Sequence, residues 1–441
     1  MKRALALAFA LALALCCACA QKEAVTPFTE ITLPPATAAP VFARTPAPTP
    51  QPTTSAAAEA PSPAAEAASP TPGAASATLG FVGDIMAMAV QISGAKTEAG
   101  YDFSQSFAPM AEAFSSVDFL AGNFECTLAG EAAGYSQPKE TAPPASEANP
   151  MPKAPLQKFS APDALARDLR EAGFDLLATA NNHCMDKGVE GLYRTARVIR
   201  EAGIMQLGTY LDEADAKTPR VASVNGIRVG FVAASALINS GVPTLTSAER
   251  EYAVAKLEDM ESIAASIAAC RQAGAEFVVV LVHWGEEHSQ KQNGAQEKYA
   301  DALIAVGADA IVGTHPHVAE PIEWREGERN GKTVCVPVAY SLGNFISNMA
   351  QKNVNYGVFL RLTLEKSASG EVVCAKLAYL PLLCYRDEVH RVAPCFAGDA
   401  GEAARAYAHV TEVCSGADIA PIARGELFSY ARKASINQGA Q

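Results

Sequence analysis

The sequence predicts an α/β fold in which helices cover the sheets. Short apolar runs alternate with amphipathic segments along most of the chain, as strands and helices do in such domains. Several apolar runs stop at a carboxylate, an amide or a histidine, which is typical of strands that reach a binding edge. Two β-rich runs flank Asn225-Gly226, a tight hairpin signal, so we expect antiparallel strands as well.

The elements follow one another in a regular order. We predict strands from the apolar runs in "ATLGFVGDIM", "SVDFLAGNFECTL", "DLLATANNH", "EFVVVLVHWGEE", "ADAIVGTHPHV" and "KTVCVPVAYSLGNF". Helical spacing predicts helices in "APDALARDLREAGF" and "GVEGLYRTARVIREAG", and at about 256–273, 296–306 and 401–413. The segment "YGVFLRLTLEKSASGEVVCAKLAYLP" predicts an antiparallel pair that closes the domain.

The N-terminus has the pattern of an export signal. A basic start precedes an apolar run from Ala4 to Leu15, which is too short to span a bilayer. Small residues leading into cysteine indicate a bacterial lipoprotein signal, and Ala18 favours Cys19 as the lipidated residue. Cys17 and ordinary signal-peptidase cleavage are the alternatives. We expect residues 1–19 to be a lipoprotein signal that anchors the chain to the outside of the cell membrane.

Composition divides the remainder of the chain. Residues 20–77 are rich in Ala, Pro, Ser and Thr, which predicts a disordered stalk. Residues 78–395 carry the α/β pattern, and 396–441 form a C-terminal extension. The net charge of −12 and the lack of basic runs exclude nucleic acid as a predicted partner. The scattered cysteines without CxxC pairs exclude a zinc ribbon or a disulfide-stapled mini-domain.

The stretch "LATANNHCMDKG", residues 177–188, has two interpretations: the end of a buried strand or an ordinary turn. The other strand ends favour the first. Metal-capable side chains stand at successive strand ends, and four of the seven histidines are among them: Asp84, Glu125, Asn182, His183, His283, His315 and His317. This concentration predicts a metal site at one sheet edge.

The ligand types indicate which metals bind. Carboxylate, amide and imidazole together suit Mn, Zn or Fe better than calcium, which prefers oxygen ligands. Six ligands suit two ions about 3.5–4 Å apart that share a carboxylate. In "HPH", an extended backbone stiffened by Pro316 would direct both imidazoles to the same side.

The motifs resemble those of a known family. The order Asp, acid, Asn-His, His, His-x-His resembles the calcineurin-like metallophosphoesterase superfamily. "GDIM", "NFE", "ANNHCMDKG", "HWGEE", "GTHPHV" and "YSLGNF", over about residues 78–350, look more closely like the CapA family of capsule and poly-γ-glutamate synthesis proteins. The resemblance implies a four-layer α/β/β/α sandwich outside the cytoplasm. It also implies an anionic envelope polymer such as poly-γ-glutamate as substrate and membrane synthase subunits as partners.

The resemblance implies roles for the strand-end residues, with one or two divalent ions bound. The ligands would be Asp84 and His317 for one ion, Asn182, His283 and His315 for the other, and Glu125 as the bridge. His183 would be the general acid that protonates a leaving group. Met86 stands where the superfamily usually has a ligand histidine, and the bridge is Glu rather than Asp. The CapA family shares both departures, which imply a weak or empty first metal site.

Further residues have both a functional and a structural interpretation. Asp186 fits the family motif, or caps the following helix. Glu287 faces substrate or supports the ligands, or is a solvated charge. Asn344 lines the same edge, or belongs to a tight turn with Ser341 and Gly343. Trp284 is expected in the core rather than on a substrate platform.

Two further predictions concern segments near the predicted site. Residues 130–157 are long and Pro-rich, which predicts either a functional loop over the site or disorder. Cys126 and Cys184 each follow a predicted site residue. Their thiols should therefore point away from the metals, either facing each other as a disulfide or buried as free thiols.

Three functions remain open at this stage. The first is a metal-dependent hydrolase or transferase acting on an envelope polymer, favoured by His183. The second is a non-catalytic accessory protein that binds the polymer through a degenerate metal site, favoured by Met86. The third is a phosphodiesterase, which the missing histidine at position 86 disfavours.

Overall fold

The computed structural model of the chain describes residues 75–140, 156–416 and 418–427. The predictions about the signal peptide, Cys19, nearly all of the stalk and the centre of the 130–157 loop lie outside these residues. Among the described residues, no helix combines the length and the apolar character needed to cross a membrane.

The strands, numbered along the chain, are β1 (Ser76–Ile85), β2 (Lys96–Thr97), β3 (Gly100–Tyr101), β4 (Phe119–Phe124), β5 (Leu176–Ala178), β6 (Met205–Leu207), β7 (Arg220–Val224), β8 (Ile227–Ser235), β9 (Phe277–His283), β10 (Ala310–Thr314), β11 (Ile322–Arg329), β12 (Lys332–Ala339), β13 (Asn344–Ile346), β14 (Tyr356–Lys366), β15 (Val372–Tyr385), β16 (Arg391–Pro394) and β17 (Ile419–Pro421).

The helices are α1 (Ala89–Gly94), α2 (Ser104–Phe107), α3 (Ala111–Phe114), α4 (Ala164–Ala172), α5 (Gly188–Glu201), α6 (Glu213–Lys217), α7 (Glu249–Tyr252), α8 (Met260–Gln272), α9 (Gly294–Val306) and α10 (Gly401–Val413). Single 3-10 turns cover Ala108–Met110, Glu131–Ala133 and Val242–Thr244. The predicted helices are therefore present, with ends shifted by a few residues.

The strands form two large sheets, each with a parallel centre. The first has the order β16-β15-β14-β1-β4-β5-β6, with β13 beside β1 and β17 beside β15. The second has the order β11-β12-β10-β9-β8-β7. Antiparallel pairing occurs between β1 and β14, among β14–β16, and at both edges of the second sheet. The predicted hairpin at Asn225-Gly226 joins β7 to β8, and both residues have positive φ.

Alternating side chains bury both faces of each sheet. In β9, Phe277, Val279 and Leu281 pack into the core between the two sheets, while the intervening valines pack beneath α8 and α9. The first sheet buries its outer face against α4, which contributes Leu165 and Leu169. The result is the four-layer α/β/β/α sandwich that the resemblance implied.

The C-terminal residues also belong to this packed structure. Helix α10 packs on β15 and β14 and buries Ala406 and Val410 in the core between the sheets. Strand β17 pairs in parallel with β15. At the other end, β1 begins at Ser76, just before the predicted start of the domain.

The carboxyl ends of the parallel strands meet at one edge of the sandwich. Strands β1, β4 and β5 of the first sheet and β9 and β10 of the second all end there. The loop before β13 approaches β1 so closely that a Cβ on Gly83 would lie 1.8 Å from the carbonyl oxygen of Gly343. Glycine at position 83 therefore permits β13 to pair with the end of β1.

Candidate metal centre

The six predicted ligands come together at this edge, and all are buried. Asp84 lies near the end of β1, Glu125 follows β4 and His283 ends β9, as predicted. The two interpretations of "LATANNHCMDKG" both hold in part. Strand β5 ends at Ala178, and a turn at residues 181–187 then carries Asn182 and His183.

Short distances join the predicted ligands in two groups. In one group, Nδ1 of His317 lies 3.1 Å from Oδ2 of Asp84 and 3.0 Å from Oδ1 of Asn344. In the other, Nε2 of His283 lies 2.9 Å from Oδ1 of Asn182 and 3.2 Å from Nδ1 of His315. Asn344 thus lies within the cluster, beside a predicted ligand.

Glu125 lies between the two groups. Its Oε1 is 3.9 Å from Nε2 of His283 and 3.8 Å from Nε2 of His317. The side chain is 0% exposed, and neither oxygen has a hydrogen-bond partner in the described structure. A buried carboxylate without a partner costs several kcal/mol, roughly, unless a cation compensates it. These residues therefore fit divalent metal ions held by Asp84, Glu125 and the surrounding imidazoles.

The pKa values of the cluster shift in both directions when no cation is bound. Burial, then the charge of Asp84, raises the pKa of Glu125 well above its usual range in the absence of a cation. Burial and the neighbouring imidazoles lower the pKa of His283, and that of His315 to about 4. Both rings are neutral at pH 7, as metal ligation requires. Burial acts most strongly, and against the charged form of His317, but its hydrogen bond to Asp84 together with the charges of Asp84 and Glu287 outweighs this and raises its pKa.

The backbone at the His-Pro-His motif differs from the predicted extended conformation. His315 has φ 100° and His317 has φ 60°, both in the region that favours glycine. Our prediction of an extended segment is therefore wrong, although the two rings do converge, with centroids 5.8 Å apart. Such conformations cost about 1–3 kcal/mol each and cluster at functional sites.

Neighbouring polar residues, not predicted as part of the site, hold the ligands in place. Nδ2 of Asn123 donates to Oδ1 of Asp84 at 2.7 Å and lies 3.3 Å from Nδ1 of His283. Oγ1 of Thr314 is 3.0 Å from the same Nδ1. Holding this nitrogen leaves Nε2 of His283 directed at the cluster. The "NFE" motif contained the signal for Asn123, which directly precedes the Phe-Glu pair.

Glu287 lies closer to the cluster than a purely supporting role requires. It is exposed at the rim, and one of its oxygens lies within 4.8 Å of ligand atoms on both His315 and His317. A second such set joins Asp84, Glu125 and His283. Glu287 is therefore an additional candidate ligand, open to solvent and substrate.

His183 lies next to the cluster and has a carboxylate partner. Its Nδ1 is 2.6 Å from Oδ2 of Asp186, which also accepts a hydrogen bond from the Phe159 N–H at 2.7 Å. Its Nε2 lies 3.4 Å from Nδ2 of Asn239. The alternative that Asp186 caps the following helix is wrong, because the residue at the N-cap of α5 is Lys187 and no side chain caps that end. Asp186 instead fixes the orientation of the His183 ring.

Two structural interpretations are decided by packing. Trp284 is buried in the core beneath the second sheet and donates to the Tyr340 carbonyl at 2.8 Å, as expected. Cys126 and Cys184 are both buried free thiols that belong to different apolar clusters. A disulfide between them is therefore wrong. Burial raises the pKa of both thiols, that of Cys184 to about 12.

The fold and the cluster together define the class of protein. A two-sheet α/β/β/α sandwich with buried carboxylate, amide and imidazole groups at the strand ends is of the metallophosphoesterase type. The chain belongs to the family described as bacterial capsule synthesis protein PGA_cap, whose sequence profile matches residues 78–349.

Three relatives share about the same identity with this chain. A capsule biosynthesis protein CapA of Bacillus anthracis is 29% identical over 277 residues, which cover 61% of this chain and 59% of that protein. A PGA biosynthesis protein CapA of Bacillus subtilis is 28% identical, with 66% and 68% covered. A probable polyglutamine synthesis accessory protein of Mycobacterium tuberculosis is 27% identical, with 48% and 57% covered. The chain thus spans little more than half of the first and third relatives.

Proposed function

We propose that this protein is a metal-dependent hydrolase or transferase that acts on an anionic envelope polymer, such as poly-γ-glutamate, during capsule synthesis or export. The observation that carries the proposal is Glu125, a buried carboxylate without a partner midway between two groups of imidazole, amide and carboxylate ligands. The name of the Bacillus subtilis relative, a PGA biosynthesis protein, supports the choice of polymer, and that of the Bacillus anthracis relative supports a role in capsule synthesis.

The residues of the site have different chemical roles. One or two divalent ions, Mn, Zn or Fe, would act there as Lewis acids toward a carbonyl or phosphoryl oxygen. Asp186 accepts a hydrogen bond from Nδ1–H of His183 and stabilises the ring when both of its nitrogens are protonated. The Nε2 proton of His183 is then available to a leaving amine or alcohol beside the cluster. Glu287 stands at the open side, where the substrate enters.

The proposed location rests on the sequence. A lipid on Cys19 would tether the domain through residues 20–77, outside the cytoplasm and near membrane-bound synthase subunits. Cys19→Ser should move the chain from the membrane fraction into the soluble fraction, or leave it unprocessed. Unchanged detergent partitioning would transfer the proposal to Cys17 or to a signal without lipid.

A second candidate is a non-catalytic accessory protein that binds the polymer. Met86 favours it, because this buried side chain packs in the apolar core where the superfamily usually places a ligand histidine. The description of the mycobacterial relative as an accessory protein agrees. A phosphodiesterase is the third candidate.

One assay separates these candidates. The purified full-length chain, reconstituted with Mn, Zn or Fe, is incubated with poly-γ-glutamate and with a phosphodiester. Polymer length and the alcohol released from the phosphodiester are then measured. We expect metal-dependent shortening or transfer of the polymer, abolished by chelation. Binding of the polymer without any change in its length would favour the accessory role, and cleavage of the phosphodiester alone would favour the third candidate.

A further inference from the structure

A second polar cluster lies at the same edge of the first sheet. Strand β15 is antiparallel to β14, and β14 is antiparallel to β1, so β15 runs in the direction of β1. Arg386 follows the end of β15 and therefore lies at the edge to which β1 delivers Asp84. His390 follows in the loop between β15 and β16, and this loop packs against the end of α1.

Both side chains have buried polar atoms without partners. Nε and Nη2 of Arg386 are buried and form no hydrogen bond within the described parts of the chain. His390 is 2% exposed, with Nε2 2.9 Å from Oδ1 of Asn348 and Nδ1 unpartnered. The adjacent Asp387 is engaged instead by Arg391 at 2.8 Å, on the exposed side of the loop. Buried polar groups of this kind are normally satisfied, so the cluster lacks a component.

The geometry of the unpartnered atoms identifies the missing component. Nε–H and Nη2–H lie on the same edge of a guanidinium group and point in parallel, a fork that matches the two oxygens of a carboxylate. Burial, then the charge of Arg386, lowers the pKa of His390, so its ring is neutral. With Nε2 donating to Asn348, Nδ1 of His390 is an acceptor and suits an N–H group.

We propose that Arg386 and His390 form a substrate-binding site for a carboxylate and a nearby amide N–H of the same molecule. A polyamide with free carboxylates offers both groups in every repeat. The site thus names the substrate class of the metal centre, and this part of the inference rests on the proposed function. It also explains how a chain with a net charge of −12 binds an anionic polymer, since the unpaired charge of Arg386 is local.

A short segment connects this site to the metal centre. Oδ1 of Asn344 lies 3.0 Å from Nδ1 of His317, and Nδ2 of the same side chain lies 3.7 Å from Sδ of Met349. Asn348, four residues along the same segment, contacts His390. The segment 344–349 therefore links His390 to the polar groups around His317.

The test measures binding of a γ-linked glutamate pentamer by calorimetry to the full-length chain in the presence of a chelator. Chelation removes binding through metal, so the result is independent of whether the metal centre is catalytic. We expect Arg386→Gln to weaken binding by about 10-fold or more, the range for a charge-assisted hydrogen bond. The matched control Arg391→Gln removes the same charge from the exposed side of the same loop and should change affinity less than about 2-fold.

Further measurements identify the ligand and distinguish a loss of binding from a loss of folding. His390→Phe removes the hydrogen-bond acceptor but not the charge of Arg386. It should therefore weaken binding of the pentamer but leave binding of a simple carboxylate such as acetate unchanged. Thermal melting of Arg386→Gln should match or exceed that of the wild type, because an uncompensated buried charge is not a source of stability. Equal loss for Arg386→Gln and Arg391→Gln, or full competition by inorganic phosphate at the concentration of the pentamer, would overturn the proposal. Lower stability of Arg386→Gln would overturn it too.

Discussion

Replacing His183 by alanine should remove activity while leaving the metal ions bound. The ring lies beside the cluster, and its Nδ1 is committed to Asp186 at 2.6 Å, so it is not needed as a ligand. Loss of a positioned general acid typically lowers the rate by about 10²- to 10⁴-fold. We expect a decrease in that range for His183→Ala, with metal content equal to that of the wild type.

The stability of the variant follows from the two interactions that the imidazole makes. His183→Ala removes one charge-assisted hydrogen bond to Asp186, worth about 1.5–3 kcal/mol. It also removes the packing of the imidazole on the Phe159 ring; the centroids of the two rings are 4.3 Å apart. Such a ring contact is worth about 0.5–1.5 kcal/mol. The free energy of unfolding should fall by roughly 2–4 kcal/mol. His183→Gln keeps a donor toward Asp186 and should lose less stability, yet be equally inactive.

The assay follows polymer length, metal content and urea unfolding in parallel for both variants and for His315→Ala. In cells of the source organism that lack the native gene, both His183 variants should impair envelope-polymer production as severely as His315→Ala. Full polymer production by His183→Ala, when His315→Ala produces none, would refute the catalytic role and leave a binding or structural site.

Two further predictions concern stability. Gly83→Ala should lower the free energy of unfolding, measured by urea titration, by about 1–3 kcal/mol or more, because the new Cβ meets the Gly343 carbonyl. The control Gly294→Ala has open space around the new Cβ, so it should change the free energy of unfolding by less than about 1 kcal/mol. A Gly83→Ala chain as stable as Gly294→Ala would contradict the close approach. Burial raises the pKa of Glu320 from 4.5 to about 7, so the folded chain retains a proton that the unfolded chain has lost. Stability should therefore fall by roughly 3 kcal/mol between pH 4.5 and 7, and Glu320→Gln should remove this fall. An unchanged pH profile in that variant would contradict it.

The sequence was sufficient to predict the fold class, and that the candidate ligands lie together, because both depend on local patterns. The continuous apolar run of strands such as β9 shows that both of their faces are buried, and the carboxyl ends of parallel strands must share an edge. Residues at those ends, such as Asp84 and His283, could therefore be placed together without a structure.

Other features depend on packing between segments distant in sequence. The helix-cap interpretation of Asp186 failed because Phe159 and Ser240, from two other loops, hold its carboxylate on His183 instead. The positive φ angles of His315 and His317 were not predictable locally, because a residue before proline, such as His315, is ordinarily extended with negative φ. The environment of Arg386 likewise depends on which loops surround it.

Elemental analysis of the purified full-length chain tests the metal centre most directly. After reconstitution with Mn, Zn or Fe and removal of excess ions, we expect about one to two ions per chain. Glu125→Gln and His283→Ala should lower that content, while His409→Ala, a histidine on α10 outside the cluster, should not. Wild-type protein that retains none of these metals, or Glu125→Gln protein that retains all of them, would contradict the account.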